Sequence, residues 1–139
     1  MSQQNVEMVR KGYLAMNSRD TEAFIALLDP DVEFDGSRRT FDAAVYRGHE
    51  GFRKIVSLQE EQWATMWVEP QDSIVAADAV VVPVRLVGVG RQSGAETTAS
   101  AAHVWRFRDG KVVRLTIFQT LGEALEAAGL SEQDAHADS

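Results

Sequence analysis

Residues Glu96–Thr120 read ETTASAAHVWRFRDGKVVRLTIFQT, two long runs joined by Asp109-Gly110. An Asp-Gly pair between such runs is among the strongest short hairpin signals, because these residues tolerate the positive φ that a tight hairpin turn demands. Side chains alternate across a strand, so Ala95, Thr97, Ala99, Ala101, His103, Trp105 and Phe107 share one face. The other face carries Glu96, Thr98, Ser100, Ala102, Val104 and Arg106 and is more polar. A histidine therefore lies on the apolar face, in line with two large aromatics and three alanines. Small residues beside large ones suit the wall of a pocket, and they equally suit a tightly packed core.

Upstream, Asn5–Met16 sets Val6, Val9, Tyr13 and Met16 at helical spacing. Asp20 is the expected N-cap of a second helix that faces inward through Phe24, Leu27 and Leu28 and ends before Pro30. Val32–Asp35 reads as a short strand, with Val32 and Phe34 pointing one way and Glu33 and Asp35 the other. Gly36–Tyr46 has no period and reads as a loop. A third helix follows Gly48, with Phe52, Ile55, Val56, Gln59 and Trp63 along one side. Met66–Glu69 is a short strand bounded by Pro70, and Ser73–Gly90 contains a longer one, VVVPVRLVGVG, apolar on both faces. Such a strand needs cover on both sides, and a second copy of the chain is the expected second cover. Glu123–Leu130 is a short helix stopped by Gly129, and the tail at 131–139 is polar.

These elements make an α+β chain, with three N-terminal helices on one face of a strongly bent antiparallel sheet. Without repeat or linker, 1–139 is expected to be one domain with its core at about residues 6–130. Hydrophobic residues make up 45% of the 139 and the net charge is −7, which argues against nucleic acid or anionic membrane as a main partner. There is no cysteine, which excludes disulfides, thiolate metal sites and a cysteine nucleophile. The start, MSQQNVEMVRKGYL, lacks a signal-peptide apolar run, and no stretch reads as a membrane helix. A cytoplasmic protein is expected. No HExxH, phosphate loop or GxSxG occurs, so neither metal nor cofactor is expected.

Four linked pieces carry a family resemblance. They are Tyr13–Asp20 with Phe24–Leu28 and the strand Asp31–Phe34; Arg47-Gly48-His49-Glu50-Gly51-Phe52 opening the third helix; Val104–Val113 around the hairpin turn; and Glu123–Leu130. In this order they resemble the nuclear transport factor two-like (cystatin-like) superfamily, and within it the SnoaL-like proteins. The resemblance implies a cone in which a curved sheet wraps three helices around a pocket, with dimerisation through the outer sheet face. The fold hosts isomerases, cyclases, epoxide hydrolases and non-catalytic proteins, so it names no reaction.

By resemblance to ketosteroid isomerase, Asp35 falls at the general base, a carboxylate that shuttles a proton between two carbons of an enolisable ketone. His103 falls where those enzymes carry a protonated aspartate, as acid or oxyanion donor. Tyr13 is the auxiliary donor, displaced by one place because Gly12 stands where the family's tyrosine belongs. Phe24, Phe52, Trp63, Arg85, Ala101, Trp105 and Phe118 are the expected pocket lining, favouring a small, flat, apolar ligand. Arg85 beside Asp35 also invites an epoxide hydrolase-like reading, although an arginine inside an apolar strand more often pairs structurally with a carboxylate. His49 is placed at the surface of the third helix. Two functions remain open: a cofactor-free isomerase, cyclase or hydrolase acting on an apolar ketone or polyketide-like metabolite, and a non-catalytic, dimeric ligand-binding or accessory protein.

Overall fold

A computed structural model describes residues 2–39, 43–76 and 78–130. The chain runs α1 (Ser2–Asn17), α2 (Thr21–Ile25), β1 (Leu28–Asp35), β2 (Val45–Arg47), α3 (Gly48–Gln62), β3 (Trp63–Pro70), β4 (Ile74–Val75), β5 (Ala79–Gly90), β6 (Glu96–Arg108), β7 (Lys111–Phe118) and α4 (Leu121–Ala127). Local chemistry sets the boundaries. Asp20 caps α2 by accepting from the Ala23 amide at 3.1 Å, and Thr120 caps α4 by accepting from Glu123. Asp109 and Gly110 both take positive φ, 52° and 74°, so the β6–β7 turn has the backbone twist that a two-residue hairpin requires.

The strands form one sheet in the order β2-β1-β7-β6-β5-β3, with β4 on β5. All pairings are antiparallel except β1 with β7, which run parallel. β1 begins at Leu28 rather than at Val32 and runs straight through Pro30. Its pairing with β7 is interrupted between Leu28 and Glu33. Proline has no amide to give to a ladder, so the irregularity falls where the proline stands. The loop expected at 36–46 also yields a short strand, β2, whose Tyr46 pairs with Phe34.

The sheet curves around α1, α2 and α3, which is the α+β cone expected from the sequence. The concave face buries Val80, Val82, Val84, Trp105 and Leu115 against Val9, Tyr13, Phe24 and Phe52. Gly12 makes that approach possible, since a Cβ there would stand 2.8 Å from the Trp105 ring. The convex face is covered within the chain: Ala79, Val81, Ala102, Val104 and Phe118 pack with Ala124 and Leu125 of α4, and with Ile74 and Ala76 alongside. Thus α4 helps to cover the Ala79–Val81 end of the apolar strand at 79–90. Residues Glu96–Ser100 of β6 stand exposed. Among the described residues no helix is long and apolar enough to cross a membrane. The polar tail at 131–139 lies outside the described residues.

Candidate small-molecule site

A cavity of about 210 Å³ opens between the concave face and the helices. Its apolar walls are Phe34, Leu115 and Ile117 from β1 and β7, Val68 and Leu86 from β3 and β5, Phe24 from α2, and Phe52, Ile55 and Val56 from α3, while Arg19, Asp20, Arg39 and Glu60 also border it. Trp63 also lines it, with its ring close over Gly88. Phe24 and Phe52 stack with centroids 4.5 Å apart, and Phe34 sits 5.4 Å from Phe52. Such surfaces favour a flat apolar ligand. Asn17 ties α1 to β3, donating to the Val68 carbonyl and accepting from the Val68 amide, both at 2.8 Å. It thereby imitates a strand partner at the cavity wall.

His103 lines this cavity and is 5% exposed. Its Nδ1 lies 2.8 Å from the Tyr13 hydroxyl, and Trp105 Nε1 donates to the same hydroxyl at 3.0 Å. The Tyr13 and His103 rings are nearly parallel, at 12°, while Trp105 meets Tyr13 edge-on. The one-place displacement of the tyrosine is therefore no obstacle: Gly12 gives room to Trp105, and Tyr13 reaches His103. Burial pushes His103 down to about 4, because a charged imidazole would lose its hydration, so the ring is neutral near pH 7. Burial pushes the Tyr13 phenol up, against the smaller opposing effect of the Trp105 bond.

Asp35 does not join them. Asp35 pairs with Thr116 and Thr116 with Val104, whereas Phe34 pairs with Leu115 and Leu115 with Trp105. Asp35 is thus on the convex face, with the sheet between it and His103. It lines a separate hollow of about 190 Å³ with Arg38, Arg106, Arg114 and Thr116. Its carboxylate accepts from the Ser37 hydroxyl and amide and, at 2.7 Å, from Arg114. Burial alone would push the carboxyl up, but these bonds and the Arg114 charge outweigh it and hold Asp35 below the usual carboxylate range.

Of the expected lining, Phe24, Phe52 and Trp63 face the cavity. Trp105 is fully buried beneath Tyr13, and Ala101 is half-buried against the main core. Phe118 belongs to the convex hollow, where Arg38 stands 5.3 Å from its ring centre. Arg85 pairs across the ladder with Ser100 and Glu69 and reaches the Glu69 carboxylate at 3.5 Å, more than half exposed. It is a convex-face ion pair rather than a pocket residue. His49 Nε2 lies 3.2 Å from the Leu28 carbonyl and ties α3 to β1. Sequence reasoning passed over Leu86, Leu115 and Ile117, whose role at the cavity follows from strand register, and Asn17, whose role follows from the docking of α1 on β3. Among the described residues no three His, Asp or Glu side chains group as metal ligands would.

The architecture recurs in solved structures. An NTF2-like protein of Burkholderia pseudomallei is 24% identical, with 90% of this chain and 97% of that one covered at a TM-score of 0.75. TerC, co-crystallised with polyporic acid, gives the same identity, coverage and score. A cystatin-fold protein of Novosphingobium aromaticivorans is 17% identical over 85% of this chain and 98% of that one, with a TM-score of 0.71. At these identities the likeness establishes the fold. No protein of curated function matches the sequence significantly. The model of the SnoaL-like domain matches residues 9–115, a span from the middle of α1 to the middle of β7 that includes Tyr13, His103 and Trp105, and the chain therefore belongs to the SnoaL-like domain family.

Proposed function

We propose that this is a small-molecule pocket protein, which takes an apolar, ketone-bearing or polyketide-like molecule into the concave cavity and meets its polar group with His103, without a cofactor. The observation that carries this reading is the histidine lining an otherwise largely apolar cavity, with one ring nitrogen engaged by Tyr13 and the rest of its polar edge available. Between the two functions the sequence left open, binding without conversion is the better supported. Proton transfer between two carbons needs a base within hydrogen-bond reach of the substrate. Asp35 faces away from the cavity with its oxygens committed to Ser37 and Arg114, while at the cavity's border Asp20 is engaged in capping α2 and Glu60 stands exposed. Arg85 pairs with Glu69, which gives the epoxide hydrolase-like reading no partner.

The test is incubation with a panel of aromatic and alicyclic ketones, following binding by the fluorescence of Trp63 at the cavity and composition by mass spectrometry. Quenching with an unchanged mixture is expected. Steady accumulation of a product overturns the binding reading and restores the enzyme. The working form is proposed to be a homodimer through the exposed part of the convex face around Glu96–Ser100, and sedimentation at a single monomer mass would refute that.

A further inference from the structure

We infer that Trp105 and Tyr13 are positioning residues that hold His103 as its Nε2–H tautomer, so that the inner wall of the cavity presents a fixed hydrogen-bond donor and favours ligands whose apolar body carries a carbonyl oxygen. The ligand half of this inference rests on the pocket reading above; the tautomer half does not.

The chain of donors begins at Trp105. An indole nitrogen donates and never accepts, so the 3.0 Å contact has Tyr13 oxygen as acceptor. The Tyr13 hydroxyl is buried, at 3% exposure, and its own proton must go elsewhere. The available acceptor is His103 Nδ1, at 2.8 Å. Were Nδ1 protonated, the Tyr13 oxygen would receive two donors and its proton would be left buried without a partner. A neutral imidazole that accepts at Nδ1 carries its proton on Nε2, and burial in this apolar setting disfavours a second proton.

Nε2 then faces the ligand space. Among the described residues it has no hydrogen-bond partner, yet no fully buried side-chain nitrogen or oxygen lacks one. Nε2 is therefore open, and the cavity is the space that His103 lines. A fixed N–H without charge pairs with an oxygen acceptor. It offers no acceptor to an ammonium group, which is a donor only, and nothing to a hydrocarbon. His103 accordingly acts as a polarising donor and not as a general base.

The experiment needs no known substrate. Long-range proton–nitrogen correlation spectra of the ligand-free, nitrogen-15-labelled protein report each ring nitrogen of His103 directly. The expected result is a protonated Nε2 and an accepting Nδ1; a protonated Nδ1 overturns the inference. Tyr13→Phe is expected to yield a mixture of tautomers, and Trp105→Phe to shift the wild-type spectrum in the same direction. Either variant keeping an unmixed Nε2–H spectrum removes that residue from the positioning role. For the ligand class, 2-acetylnaphthalene, 2-ethylnaphthalene and 1-(2-naphthyl)ethylamine are compared by fluorescence titration. The ketone is expected to bind about tenfold more tightly than the hydrocarbon, the worth of one hydrogen bond, and the amine more weakly than the ketone. Equal binding of ketone and hydrocarbon overturns the donor role. If none of the three binds, the pocket reading fails, while the spectrum still decides the tautomer.

Discussion

Among the described residues the strands bury one ionisable side chain on each face of the sheet, and the two are handled in opposite ways. On the concave face His103, 5% exposed, meets the Tyr13 phenol, itself held by the Trp105 indole, and burial drives it to the neutral form. On the convex face Asp35, 8% exposed, is met by a guanidinium and two Ser37 donors, and it stays ionised. The difference lies in the partners and in depth: both side chains are little exposed, but Asp35 borders the open convex hollow with a guanidinium beside it, whereas His103 lies deep under the helices. A buried group surrounded by neutral donors and apolar walls gives up its charge; one beside an opposite charge keeps it. The concave face is thereby suited to a neutral ligand, and the convex hollow is a structural ion-pair site.

The largest expected effect falls on the concave face. Trp105 is fully buried between α1 and the sheet, so Trp105→Ala is expected to cost about 3–5 kcal/mol in chemical denaturation. A loss below about 1 kcal/mol, a size usual for surface changes, would mean that this face is not the main core.

Acid separates the two groups next. The unfolded chain protonates His103 at the ordinary value of 6.5, whereas the folded chain resists until about 4. The unfolded state therefore binds more protons across that window, and stability is full above 6.5 and falls by roughly 3 kcal/mol by the bottom of the window. Asp35 has its folded value depressed below 3.8, so its contribution is present above 3.8 and is lost only as the pH falls through the lowered value. Urea midpoints measured from neutral pH down to 4 should drop in the wild type and less in His103→Gln. Parallel curves would refute the neutral, buried histidine.

The smallest effect tests the separation itself. Asp35→Asn removes the charge facing Arg114 and is expected to cost about 1–2 kcal/mol of stability, with the affinity for 2-acetylnaphthalene unchanged. A lost affinity would return Asp35 to the ligand.

Much of this was readable beforehand, and the misreading is instructive. Alternation along β6 put Ala101, His103 and Trp105 on one face, and the ladder bears that out through Val84, Val82 and Val80 opposite them. Alternation along β1 likewise set Asp35 opposite to Phe34. The resemblance to an isomerase drew Asp35 into the pocket, and the structure follows the alternation instead. In strands with a period of two, one position decides the face, so an analogy one residue out reverses the side. Tyr13 shows the converse. Its displacement by one place counted against it, but a helix packed closely at Gly12 turns that neighbour toward His103. The Asn17–Val68 clamp and the partners of Asp35 depend on contacts between distant segments, which no local pattern encodes.

The parallel pairing of β1 with β7 has a kinetic consequence. Phe34 and Leu115, adjacent on the cavity wall, have most of the chain between them. Closing so long a loop loses entropy before any contact compensates, and folding slows as contacts become more distant in sequence. During synthesis α1, α2, β1 and α3 emerge well before β7 exists. The cavity wall is then a seam closed late, and until it closes Phe34 and Phe52 have no β7 to cover them. A nascent chain would be most prone to aggregation through this edge, in the interval before the final hairpin arrives.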